Sequence, residues 1–147
     1  MGYSFIAKLA QLAGTVCSAI DSVEFETPAL ESIYAFGTRI QFADGTVVSC
    51  QFWRLVQSGR PIVSVFDHRQ RYGLPVPVDA IRVLREALLG ERVLGASMNG
   101  VTADLRFEFV GGAVLEVFNF TAFEIWQVAF ADGTGELSNY VLDHRHS

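Results

Sequence analysis

Lysine is almost missing from this chain: Lys8 stands alone among eleven basic residues, and charged residues of all kinds make up only 18% of the sequence. Cysteine is nearly as scarce. Cys17 and Cys50 are too few and too far apart for a disulfide framework or a thiolate zinc site, so they read as buried free thiols of a reducing compartment. No apolar run is long enough to span a bilayer. The amino-terminal MGYSFIAKLAQLAG lacks the basic start of a secretion signal, and it carries Ile6 where a myristoylation motif needs Ser or Thr. A GxSxG elbow, a phosphate-binding loop, HExxH and CxxC are also absent, which removes the sequence signatures of several hydrolases, nucleotide enzymes and redox proteins. The expectation is a cytoplasmic protein without a recognisable catalytic residue, metal site or cofactor.

What remains is strongly apolar. With 147 residues and 50% hydrophobic content, the chain is sized for a single domain, 1–147, with one buried core. A mean hydropathy of +0.30 with so few charges implies apolar surface for a protein partner or a second copy to cover, so a homodimer is the default expectation. The net charge is −5, which argues against nucleic acid as a partner. Between Arg54 and Arg92, however, seven arginines face four acids. That stretch could present a cationic surface to a carboxylate, a phosphate or an acidic protein, although arginine simply replacing lysine throughout explains it equally.

Periodicity predicts an α+β fold. A helix is expected over about Pro77 to Leu89, where Val78, Ile81, Leu84, Ala87 and Leu88 form a stripe ended by Gly90, and a weaker one over about Ser4 to Ala13, ended by Gly14. Alternating segments read as antiparallel hairpins of a strongly bent sheet, with barrel-like closure as one form, covered by these helices. Helix, glycine and meander occur in each half, so an internal duplication is expected, with halves 1–70 and 77–147 joined by the connector 71–76.

Two echoes bear on this. FADGT occurs at 42–46 and at 130–134. For the first copy, a three-residue loop Ala43-Asp44-Gly45 places Phe42 opposite Thr46 and Ile40 opposite Val48, an apolar face. For the second, the same register would put Val128 against Glu136, so a loop shifted by one, pairing Val128 with Leu137, is expected. The hairpin around Gly111-Gly112 fits a loop Val110-Gly111-Gly112 with Phe107 opposite Leu115 and Arg106 opposite Glu116. The second echo, VFDHR at 65–69 and VLDHR at 141–145, brings Asp beside His, a pair that can orient an imidazole or bind metal. Adjacent strand residues point to opposite faces, so a strand-end role competes with that reading.

Candidate binding residues follow from residue type. Trp53, Arg54 and Trp126 are the kinds of side chain that anchor interfaces, yet tryptophans in strands also serve as core. Arg60, His68 and Arg69 extend the arginine-rich stretch toward an Arg/His-lined site. Phe118 and Phe120 lie on the face opposite Leu115 and Val117, so both faces of that strand need cover, and Glu124 neighbours Trp126.

The second half resembles a group of small uncharacterised bacterial domains with Leu-Gly before a strand, a Phe-rich hairpin and Glu-x-Trp followed by Asp-Gly. The matching residues are Leu89, Gly90, Val93, Leu105, Phe107, Phe109, Gly112, Leu115, Val117, Glu124, Trp126, Asp132 and Gly133. The resemblance implies a bacterial, immunity-like interaction protein and brings no catalytic residues. Two functions therefore stand as expectations: a non-catalytic protein-binding domain, or a small-molecule or metal binding protein or enzyme using the Arg/His-lined site.

Overall fold

The computed structural model describes residues 4–24, 36–119, 125–139 and 141. Among these residues two helices, α1 (Phe5–Ala10) and α2 (Ala80–Leu88), accompany ten strands: β1 (Cys17–Glu24), β2 (Phe36–Phe42), β3 (Val47–Cys50), β4 (Trp53–Gln57), β5 (Arg60–Ser64), β6 (Val93–Met98), β7 (Leu105–Phe109), β8 (Val114–Val117), β9 (Trp126–Ala129) and β10 (Gly135–Leu137). The fold is α+β and antiparallel. Its strands form two five-stranded sheets, ordered β1-β2-β3-β9-β10 and β6-β7-β8-β4-β5, and the sheets do not close into a barrel.

The two orders are the same order with the halves of the chain interchanged. Each half gives its first three strands to one sheet and its last two to the other, so β9 pairs with β3 while β4 pairs with β8. The hydrogen bonds repeat this symmetry. Gly14 N–H donates to Val93 O and Gly90 N–H to Cys17 O, both at 2.8 Å, while Val93 N–H donates to Thr15 O and Cys17 N–H to Glu91 O. These bonds surround a bridge between Val16 and Arg92, joining the sheets at one corner. Positions 14 and 90, or 17 and 93, share the offset that separates Val65 from Val141 in the two DHR echoes. Even the irregularities match, with a bulge at Cys17/Ala19 in β1 and at Val93/Gly95 in β6.

Both helices follow the pattern more tightly than the sequence suggests. Asp79 caps α2, its side chain accepting from Arg82 N–H at 3.0 Å. The helix does not start at Pro77, because the Val78 carbonyl, which an earlier start would offer to Arg82 N–H, accepts from Arg69 N–H instead, and Asp79 keeps a non-helical backbone as the cap. Ser4 caps α1, and Phe5, Leu9 and Leu12 bury the face that packs on β6, while α2 packs on β1. Each helix thus covers the first strand of the other half.

Between the sheets lies one core, with Ile40, Val48 and Val128 from the first sheet and Leu55, Phe107 and Leu115 from the second fully buried. Phe42 stacks on Phe107 across it at 5.9 Å. The tryptophans are staples in this core. Trp53 on the second sheet donates its indole N–H to Thr38 Oγ1 on the first at 2.9 Å, and Trp126 on the first donates to Ala103 O beside the second at 2.7 Å. A buried indole N–H without a partner costs about 1–3 kcal/mol, so these bonds fix how the sheets face each other.

The turns hold one correction. Ile40 opposes Val48, Phe107 opposes Leu115 and Arg106 opposes Glu116, as the alternation predicts. The second FADGT, however, does not shift: Phe130 N–H bonds Thr134 O and Val128 opposes Glu136, the register of the first copy. The Asp side chain decides it. Asp44 Oδ1 accepts from Thr46 N–H and Asp132 Oδ1 from Thr134 N–H, each at 2.9 Å, giving both copies the same turn. Burial exerts little pull at β10 because it is a three-residue edge strand where Glu136 stays half-buried. The two turns also touch, since a Cβ at Gly45, whose φ is +98°, would lie 2.8 Å from Ala131 Cβ.

Because each half completes a sheet of the other, a chain cut at a protease site introduced between residues 71 and 77 is expected to stay together. Size-exclusion chromatography should show one particle containing both fragments, separating only in denaturant, whereas two independently folded fragments would contradict the exchanged topology.

Candidate functional site

The first DHR echo is built into the start of α2. Ser64 caps a short 3-10 turn, Val65–Asp67, while the Asp67 carboxylate accepts from Ser64 N–H at 2.8 Å in return. Asp67 also accepts from the Tyr72 hydroxyl at 2.8 Å. His68 turns toward the helix, and its Nδ1 accepts the Ala80 N–H at 3.0 Å. That bond requires an unprotonated Nδ1, and partial burial together with the Arg69 charge holds the imidazole pKa below its ordinary 6.5. Asp67 and His68 therefore both act as caps here.

From this anchor the chain makes a closed loop. Arg69 N–H donates to Val78 O and Val78 N–H to Gln70 O, both at 2.8 Å, and inside the loop Leu74 N–H bonds Arg71 O while Arg71 Nη1 bonds Pro75 O. Arg69 and Tyr72 adopt left-handed φ values of 69° and 48°, uncommon outside glycine and a mark of a conformation held by its surroundings. Every residue from Arg71 to Pro77 is exposed. Tyr72, Leu74 and Val76 are exposed by 67%, 51% and 70%. Phe66, just before the anchor, is also exposed and stacks on Phe52 at 5.8 Å.

A second feature lies on the outer face of the first sheet. A groove of about 200 Å³ is lined by Arg39, Ser49, Gln51 and Gln127 together with Val23, Ile125 and Leu137. Gly37 forms part of its wall. The pseudo-equivalent depression on the second sheet, about 310 Å³, is lined by Asp104, Arg106, Glu116 and Phe118.

The residues singled out from sequence are dispersed. Trp53 and Trp126 are 1% and 2% exposed on inner faces of different sheets, so neither presents a surface. Arg54 lies on the outer face of the second sheet, paired with Glu116 at 3.0 Å and placed over the Phe118 ring at 5.1 Å. Arg60 sits at the tip of the β4–β5 hairpin, opposite Gln57, whereas Arg54 opposes Ser64. About 13 Å of strand separates those positions, so Arg54 and Arg60 do not form one site. Phe120, Glu124 and the second DHR echo beyond Val141 lie outside the described residues. Among those described, no group of three or more His, Cys, Asp or Glu could hold a metal ion. Burial raises the thiol pKa of Cys17 to about 11 and of Cys50 to about 12, so both remain protonated and unreactive at neutral pH. No helix among the described residues is long and apolar enough to cross a membrane.

Neither surface feature is marked in the sequence. RYGLPVP carries connector chemistry, and nothing local announces that its apolar side chains face outward. The groove depends on Ser49 lying beside Gln127, a pairing of strands far apart in sequence. Comparison of the chain with known protein families, with curated proteins and with solved structures gave no significant match.

The His68 cap generates a pH dependence with a defined sign. Because the folded pKa lies below 6.5, the cap's stabilisation is fully present above 6.5 and is lost as pH falls through the lowered folded value. The unfolding midpoint of the native chain should therefore drop between about pH 7 and pH 5. In His68→Asn, whose amide oxygen can accept the same N–H without titrating, that part of the drop should vanish. An identical pH profile in the variant would show that His68 is not the group responsible.

Proposed function

We propose that the protein is a non-catalytic protein-binding domain whose contact element is the loop Arg69 to Val78. The observation that carries this reading is the exposure of Tyr72, Leu74 and Val76 on a loop closed by backbone hydrogen bonds and restrained by Pro75 and Pro77. Surface loops are ordinarily polar, and ordered apolar clusters that face water mark interaction sites. Preorganisation strengthens such a contact, because a loop already fixed loses little conformational entropy on binding.

The loop also indicates the partner's chemistry. Residues 69–78 include Arg69 and Arg71 and no carboxylate, within the stretch where arginines outnumber acids. A protein surface with an apolar cleft rimmed by acidic residues complements both features. Tyr72 would be the central anchor, being large, amphipathic and already fixed through its hydroxyl to Asp67. The immunity-like role implied by the sequence resemblance is one form of this reading, with a toxic partner as the bound protein.

The test compares the native chain with the triple variant Tyr72→Ala, Leu74→Ser, Val76→Ser, each tagged and recovered from a lysate of its own source. A stoichiometric second protein retained by the native chain and lost by the variant, at an unchanged unfolding midpoint, is the expected result. Retention of that protein by the folded variant would remove the loop from the interface. Recovery of the chain with copies of itself alone would replace a heterologous partner by a homodimer.

A further inference from the structure

Independently of that loop, we propose that the groove on the first sheet binds a small organic carboxylate bearing an apolar group, with Arg39 holding the carboxylate. The internal symmetry makes two outward rows of side chains equivalent. Across the second sheet the outward row runs Ser97, Arg106, Glu116, Arg54, Ser64. Across the first it runs Asp21, Arg39, Ser49, Gln127, Leu137.

In the second row the carboxylate is supplied by the protein. Glu116 stands between Arg106 and Arg54 and accepts from Arg54 at 3.0 Å, while Arg106 bonds Glu108 at 2.9 Å. Asp104 adds another carboxylate to that depression, its Oδ1 accepting from Asn119 N–H at 2.7 Å. In the first row the arginine is kept and the acids are not. Arg39 matches Arg106, but Ser49 stands where Glu116 would be and Gly37 where Asp104 would be. The remaining acid of the row, Asp21, accepts from Arg85 at 3.3 Å. Among the described residues Arg39 has no carboxylate partner.

The rest of the groove specifies the ligand's other end. Val23, Ile125 and Leu137 offer apolar wall, and Ser49, Gln51 and Gln127 are neutral groups able to orient a ligand without competing for Arg39. A guanidinium can bind a carboxylate through two parallel hydrogen bonds, which suits the space beside Arg39, where Gln41 and Ser49 stand in place of Glu108, the partner of Arg106, and Glu116. A volume of about 200 Å³ accommodates a small acid.

The probe is phenylacetate, with the uncharged phenylacetamide as its isostere, titrated into the full chain and followed by ¹H–¹⁵N correlation spectra. Saturating shifts are expected at the backbone amides of Gly37, Ser49 and Gln127, with the acid binding at least about tenfold more tightly than the amide, as a charge-assisted hydrogen bond gives. Arg39→Met should weaken the acid by a similar factor. Ser49→Glu should also abolish binding, because it restores a protein carboxylate at the position of Glu116. Spectra of both variants outside the groove should match the native chain, which separates loss of binding from loss of fold. Equal affinity for acid and amide, unaltered binding by Arg39→Met, or no saturating shift at these amides up to about 10 mM would overturn the proposal.

Discussion

The pairing of β9 with β3, and of β4 with β8, is the constraint on which everything else in this molecule depends. Neither half of the chain can complete a five-stranded sheet alone, because the two strands that finish each sheet come from the other half. The exchange places Trp126 on the first sheet and Trp53 on the second, so the two indole hydrogen bonds tie the sheets together from opposite sides. It also sets each helix on the first strand of the opposite half. A small chain gains in this way a core continuous across both halves, with no interface between halves that could open as a unit.

The symmetry is carried by backbone geometry and core shape, while the outer faces differ. The reciprocal bonds around Val16 and Arg92 and the matching bulges in β1 and β6 depend on main chain, which side-chain substitution leaves largely alone. Outward positions tolerate change because they face water. Glu116 and Ser49, Arg54 and Gln127, or Asp104 and Gly37 occupy equivalent places and create different electrostatics. The connector between the halves has a fixed shape of its own, anchored by Asp67 and His68. Structural symmetry and electrostatic asymmetry thus occupy different layers of the molecule.

Local chemistry was legible from sequence wherever one hairpin contained its own explanation. Around Gly112, alternating phenylalanines and a glycine with φ of +97° leave one acceptable register, and the same holds for β2 and β3. The second FADGT departs from its core pattern because the Asp132 turn sets the register at an edge where burial has little force. Pro77 has the chemistry of a helix start, but the loop bond from Arg69 N–H to the Val78 carbonyl, which moves the start to Ala80, is not visible in the sequence. The sheet order and the groove were not legible, since both arise from contacts between residues such as Ser49 and Gln127 that no local pattern connects. For the DHR motif, the sequence identified residues of structural consequence, and the geometry assigns the first copy to capping.

The exchanged topology is tested most directly by covalent capture of the pairing between halves. Ser49 and Gln127 are opposed on neighbouring strands β3 and β9 with both side chains on the outer face, close enough for a disulfide. The double variant Ser49→Cys, Gln127→Cys, oxidised at low protein concentration and mapped by mass spectrometry, should yield a disulfide between these positions within one chain, in a protein that remains monomeric under denaturing, non-reducing conditions. Failure of the bond to form in the folded protein, or its formation only between two chains, would contradict the account.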